Sequence, residues 1–144
     1  SGTAPELERQ IEWLTRYERS DDQAYFIIQT MGGEDLGTVR LYDERGNSFC
    51  WGSWILKEGA PGSAAIESAL MVYAYAIDHL GFDSSHFDVR KANESVWRFH
   101  ERFGARRTGE TEMEYLYSIG SEQITAARRR YGKYLTDIRV EESA

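Results

Sequence analysis

The chain has 144 residues and a net charge of −7, with 41% hydrophobic and 28% charged residues. That balance describes one domain with enough apolar matter for a core; it excludes a disordered chain and argues against a nucleic-acid binder, which is ordinarily basic. No stretch has the apolar length a bilayer demands and no signal peptide is visible, while the lone Cys50 excludes an internal disulfide and a multi-cysteine zinc site, so the expected setting is the cytoplasm, away from membranes.

Thr3-Ala4-Pro5-Glu6 has the form of a capping box with proline in the first turn. Leu7, Ile11 and Leu14 follow at helical spacing, which predicts a helix ending near Ser20. Three strands are expected next, over Tyr25–Thr30, Leu36–Tyr42 and Ser48–Leu56, joined by turn-forming Gly32-Gly33 and Gly46-Asn47. Ile66, Leu70, Tyr73 and Ile77 then predict a helix to about Leu80, stopped by Gly81. Ser85–Arg90 is a fourth strand. Asn93 is a good N-cap for a helix carrying Val96, Phe99 and Phe103, which Gly104 ends. Thr108–Ile119 is expected as one long β segment. Glu122–Leu135 is a last helix with Ile124, Ala127, Tyr131 and Leu135 on one stripe, before a frayed tail at Glu141–Ala144.

Two features point to an anionic ligand. The segment Gly59–Ala65, GAPGSAA, joins a strand to a helix with almost no side-chain bulk. The first amides of a helix lack partners within it and sit at the positive end of its dipole, so such a loop suits a phosphate. An ordinary connection would look the same. No Gly-Lys-Ser/Thr follows, and the three preceding strands form a meander, which excludes a triphosphate loop and a dinucleotide fingerprint. The second feature is a local excess of positive charge. From His86 to Thr108 six basic residues, Arg90, Lys91, Arg98, Arg102, Arg106 and Arg107, stand against three acidic ones.

The order of elements, with Gly59-Ala60-Pro61-Gly62-Ser63-Ala64 as one block and NESVWRFHERFGA (Asn93–Ala105) as the other, resembles the GNAT acetyltransferase superfamily over roughly Pro5–Ile119. In the first block Gly62 and Ala64 match the family's loop, while Gly59 replaces its Gln or Arg. In the second, Asn93, Glu101, Arg102 and Gly104 match, and Ala105 replaces a Phe. The WGSWIL strand and the N-x-S block look most like the RimJ/RimL-like branch, and within it like members that acetylate amino groups on nucleotide-linked sugars. The fold implied is α+β in three layers, a mixed central sheet flanked by helices, as a single domain over residues 1–144 in which 120–144 supply a C-terminal helix and tail. The family's opening strand and helix are not seen ahead of Pro5; either the sequence lacks them or another element takes the strand's place.

The resemblance implies acetyl-CoA as cofactor and direct transfer of its acetyl group to a small-molecule amine. Gly62, Ser63, Ala64 and Ala65 would aim amides at the pyrophosphate, with Gly59 adding no side chain. Trp54, Ile55 and Leu56 would hydrogen-bond the pantetheine through their backbone, and Asn93 would touch it, besides capping its helix. Arg98, Arg102 or Lys91 would meet the 3′-phosphate. His100 stands where the family has its acid, usually a tyrosine, and as imidazolium it would protonate the leaving thiolate. Trp51, Trp54 and Tyr42 are candidates for the acceptor pocket, with aromatic core as the competing role. No base is evident; Glu58, His86, Asp88 and Glu110 would serve through a water. Two other functions fit: acetylation of a protein N-terminus or a polyamine, which the acidic net charge suits, and a GNAT-like module without catalysis. The stripe on the last helix fits packing on the sheet or on a second subunit, so a homodimer is open.

Overall fold

The computed structural model describes residues 11–20, 23–30, 33–59, 63–132 and 139–142. Four strands come first: β1 (Ile11–Ser20), β2 (Gln23–Thr30), β3 (Asp35–Arg45) and β4 (Ser48–Leu56). They form an antiparallel meander. The helix expected to run to Ser20 is therefore corrected: Ile11–Ser20 is a strand. Ile11, Trp13, Thr15 and Tyr17 also alternate at period two, and β-branched and aromatic residues favour an extended chain once β2 supplies a ladder partner. The capping box at Thr3–Glu6 lies outside the described residues. The stretch ahead of Pro5, where the family's opening strand and helix were sought, lies outside the described residues too.

After β4 the chain enters α1 (Ala64–Ala74), widens into one π-helical turn (Tyr75–His79), and reverses at Gly81, whose φ is +82°. Strand β5 (Ser84–Arg90), helix α2 (Glu94–Phe103), strands β6 (Arg106–Glu110) and β7 (Glu114–Ile119), helix α3 (Ser121–Arg130) and strand β8 (Arg139–Glu142) follow. The single long β segment expected over Thr108–Ile119 is two strands. A tight turn splits it, in which the Thr111 amide donates to the Glu114 carbonyl (2.8 Å) and the Glu114 amide to Thr111 Oγ1 (3.0 Å). The frayed tail is corrected in part: Arg139–Glu142 pairs parallel with β1. Helix α3 ends at Arg130, and Leu135 lies outside the described residues.

The eight strands form one mixed sheet in the order β6-β7-β5-β4-β3-β2-β1-β8. Phe26, Val39, Leu41, Phe49, Trp51, Phe87, Tyr117 and Ile119 are buried toward the face that carries the helices. α1 is buried almost all round because it is packed on both sides. Its Tyr73 meets Phe49 (6.1 Å) and Trp51 (5.6 Å) from the sheet and stacks on Phe103 of α2 (5.6 Å). Each such ring pair adds about 0.5–1.5 kcal/mol to its area burial. α2 is amphipathic and lays His100 and Phe103 inward. Among the described residues no helix is long and apolar enough to cross a membrane.

Strand β4 positions the site. It pairs in parallel with β5 only at Ser48↔Ser84 and Phe49↔Ser85. Beyond that the two strands part. On its other side β4 carries a bulge: Arg40 pairs with Gly52 and Thr38 with Ile55, so Ser53 and Trp54 oppose Val39 alone. Ser53 takes the left-handed conformation, φ +48°. Gly37 is what permits this approach, since a Cβ there would lie 1.9 Å from the Ile55 carbonyl oxygen.

Candidate active site

The parted ends of β4 and β5 are roofed by the first turns of α1 and α2. A cavity of about 640 Å³ opens there. β4 gives it Trp54, Ile55 and Leu56; α1 gives Ala65 and Ile66; α2 gives Ser95, Val96, Phe99 and Arg102; Tyr131, at the end of α3, closes the far side. Small residues open α1 because its backbone must come close to whatever fills the groove. Trp54 is fixed as a wall: its Nε1 donates to Ser68 Oγ (3.1 Å) and its ring meets Phe99 at 5.2 Å.

The sequence-predicted cofactor residues converge here in part. Trp54, Ile55, Leu56, Ala65 and Arg102 line the cavity. Ser63 and Ala64 stand at the start of α1, where Ser63 Oγ donates to the Glu67 carboxylate (2.7 Å). Gly62 lies outside the described residues, with Ala60 and Pro61. Gly59, φ +85°, begins the connection. Asn93 heads α2, yet its side chain makes no capping hydrogen bond; its carbonyl receives the Val96 and Trp97 amides instead. The expected side-chain cap is thus absent, and the amide group is not used by the helix.

Three arginine and lysine candidates separate clearly. Arg98 is spent on Glu94 one turn earlier, and Lys91 on Glu110. Arg102 has no carboxylate partner among the described residues and faces the cavity. The glutamate of the same block is structural: Glu101 receives the Tyr117 hydroxyl (2.6 Å) and Arg107 (2.7 Å), which ties α2 to β7 and holds its carboxyl below the usual range.

His100 corrects its expected form. Its side chain is only 5% exposed and sits among Phe87 (4.3 Å), Trp51 (5.2 Å), Trp54 (5.7 Å) and Phe99 (5.8 Å). Burial among these rings pushes its pKa down to about 3, so at neutral pH it is an uncharged imidazole and not the imidazolium expected. Trp51 is likewise core, 3% exposed, with Nε1 on the Tyr73 hydroxyl (3.2 Å), so it does not line an open acceptor pocket. Tyr42 lies on the other face of the sheet, half-buried across Gly52 beneath the Arg40 guanidinium, 3.7 Å from the ring centre. Burial first, then a hydrogen bond with Cys50, lifts its phenol to about 12.

The sequence reading missed Tyr131, Ser95, Val96 and Phe99 as cavity walls. Tyr131 was on the apolar stripe of the last helix, but periodicity cannot say which neighbour a stripe meets. Here it stacks on Phe103 at 5.4 Å, and Arg130 ties the same corner by donating to the Arg102 carbonyl (3.0 Å).

Comparison with known proteins agrees with this architecture. The family model described as an acetyltransferase (GNAT) domain matches residues 2–106. Apo FdhC, a nucleotide-linked sugar GNAT, is 41% identical over 80% of this chain with a TM-score of 0.76; the chain spans 66% of FdhC. The Campylobacter jejuni N-acetyltransferase PseH in complex with acetyl coenzyme A shares the fold at 15% identity and TM-score 0.64, each chain covered to 70%. The Vibrio cholerae spermidine N-acetyltransferase bound to CoA and spermine does so at 13% and 0.61, covering 73% of this chain and 69% of that one. No curated protein sequence matches. A family model spanning most of the chain and a structure 41% identical over 80% of it settle the matter: the chain belongs to the GNAT acetyltransferase domain family.

Proposed function

We propose that this domain is an acetyl-CoA-dependent N-acetyltransferase whose acceptor is a primary amine on a nucleotide-linked amino sugar. The observation that carries the reading is the groove at the free end of β4 under α1 and α2, largely apolar and holding Arg102 and the first turn of α1. The residues fit the cofactor: an apolar slot for a pantetheine arm, the first amides of α1 for a pyrophosphate and, in Arg102, a guanidinium with no carboxylate partner among the described residues for a phosphate. Bound acetyl-CoA would supply an activated acyl thioester.

The chain's own groups then divide the work. Trp54, Phe99 and Val96 hold the arm and exclude water. Ser63, Ala64 and Ala65 would present amides to the pyrophosphate. Arg102 meets the 3′-phosphate. At the bulge Ser53 and Trp54 oppose Val39 alone, and their backbone amides would be the candidate donors to a developing oxyanion. His100, uncharged, supports Trp54 and Phe99, and any proton it gives would come from a neutral ring.

FdhC's description as a nucleotide-linked sugar GNAT supports the acceptor class. The net charge of −7 would favour a polyamine, but charges beyond about 8–10 Å are screened at physiological salt, so the residues near the groove decide. Among the described lining residues the charged one is Arg102, a cation. The lone buried Cys50 keeps a reducing cytoplasm as the proposed setting. Thiol release from acetyl-CoA across nucleotide-linked amino sugars, free amino sugars, polyamines and N-terminal peptides tests the assignment. Preference for the first class is the expected result; turnover confined to polyamines or peptides would replace it.

A further inference from the structure

A second constellation of reactive groups lies at the opposite end of β4. Ser48 opens β4, His86 is the third residue of β5, and Asp43 is near the end of β3. Ser48 pairs with Ser84, so His86 follows two residues on along the same face. Ser48 Oγ lies 2.7 Å from His86 Nδ1, and His86 Nε2 lies 3.2 Å from Asp43 Oδ2. Trp54 lies six positions along β4 from Ser48, about 20 Å of strand, so this group is remote from the groove.

We propose that Ser48, His86 and Asp43 form a second reactive site, in which Ser48 is a nucleophile toward carboxylic esters with good leaving groups. Asp43, a carboxylate, can only accept, so His86 Nε2 carries the proton and donates to it, which fixes the tautomer. Nδ1 is then the basic nitrogen, and it faces the Ser48 hydroxyl, which donates to it. A nucleophile, a base and an acid that orients the base, each within hydrogen-bond reach of the next, is the arrangement that activates a serine. Asp43 is held for this task by two features. Its backbone is left-handed, φ +50°, and its carboxylate is also gripped by Arg45 at 2.8 Å. A pin between strands would need neither the acid nor the fixed tautomer. The site can be reached: the His86 side chain is 23% exposed and that of Asp43 42%.

The step balances without any further reagent. Ser48 Oγ bonds the acyl carbon as its proton passes to Nδ1; the ester C–O bond breaks and the leaving oxygen takes that proton. Water, deprotonated by Nδ1, then attacks the acyl carbon, and Oγ recovers a proton as the acid departs. No pair of backbone amides converges beside Ser48 among the described contacts, and one missing oxyanion donor costs on the order of 10²–10³ in rate. That loss slows acylation and hydrolysis alike, but an activated phenolate leaves far more readily than the serine alkoxide, so acylation of Ser48 by such esters should outrun its hydrolysis.

The test uses the whole chain with p-nitrophenyl acetate and with a fluorophosphonate probe. The expected result is a stoichiometric burst of nitrophenolate, an acetyl or phosphonyl group mapped to Ser48 by peptide mass spectrometry, and labelling undiminished by saturating acetyl-CoA. Ser48→Ala should abolish the adduct, and His86→Gln and Asp43→Asn should slow it at least tenfold. Absence of label on Ser48 in the wild-type chain overturns the proposal, as does label on another residue or labelling that survives His86→Gln at full rate. The wild-type map needs no variant to fold. It is also independent of the acetyl-transfer reading, since neither readout involves an amine acceptor.

Discussion

The two ends of β4 begin from the same strand and do opposite things. At Ser48 and Phe49 the strand is zipped to β5, and polar side chains of three strands bond one another across a closed sheet. At Trp54–Leu56 it has parted from β5, is kinked by a bulge against β3, and leaves a groove into which two helices point their first turns. A ladder satisfies its own amides and so closes a surface; a bulge and a splay free amides and make room for a ligand. The contrast locates the cofactor at one end.

The sharpest way to break the contrast is at Gly37. A methyl there would sit 1.9 Å from the Ile55 carbonyl, a backbone atom that cannot step aside like a side chain. Gly37→Ala should cost about 3 kcal/mol or more and deform the bulge. Thermal melting should fall by many degrees and acetyl-CoA should give little stabilisation. If melting and cofactor response both stay at wild-type values, the bulge is not what opens the groove.

The next largest effect is expected at His100, beneath the open end. His100→Ala removes a buried ring from four aromatic neighbours and should cost about 3 kcal/mol, with turnover falling alongside. His100→Phe separates packing from proton transfer: it should restore stability and most turnover if the ring is a support, and leave turnover as low as in His100→Ala if its N–H is used. The pH dependence has a definite sign. Its folded pKa is about 3 against 6.5 for the free side chain, so the unfolded chain binds the extra proton between those values. Stability from this residue is intact above about pH 6.5 and declines toward pH 3, by at most ~1.4 kcal/mol per pH unit. Denaturant midpoints measured from pH 7 to pH 4 should therefore fall less steeply in His100→Phe than in the wild type.

These two residues also mark what could be read beforehand. The Asn93–Gly104 block and the strand–loop–helix order were legible because helix spacing and glycine punctuation are local. His100 was placed on the right element, but its charge state depends on Trp51, Trp54 and Phe87, which come from two other strands. Gly37 carried no signal at all: nothing in Leu36-Gly37-Thr38 reveals that the Ile55 carbonyl approaches it. Ile11–Ser20 failed for a related reason. Its apolar residues fit a period of three to four and a period of two, and only a neighbouring strand decides between them. Tyr131 shows the same limit at the far end of the groove.

Smaller effects sharpen the chemistry of the open end. Arg102→Ala should raise the KM for acetyl-CoA about five- to tenfold, roughly 1–1.4 kcal/mol, with kcat unchanged, because a charge-assisted contact remote from the acyl group contributes equally to ground and transition states. With 3′-dephospho-CoA thioester the variant and the wild type should be indistinguishable. A KM penalty that persists with the dephospho cofactor would move Arg102 away from the phosphate.

The smallest effect is the control that makes the last one meaningful. Arg98 lies one turn from Arg102 on the same helix, carries the same charge and belongs to the same basic stretch. Its guanidinium is already held by Glu94, and both side chains are more than half exposed, so the pair contributes no more than about 0.5 kcal/mol to stability. Arg98→Ala should leave melting, KM and kcat within error. If net positive charge near the groove drew the cofactor, the two arginines would matter alike. An unequal pair instead ties the affinity to where each guanidinium is committed, which the spacing along α2 does not show.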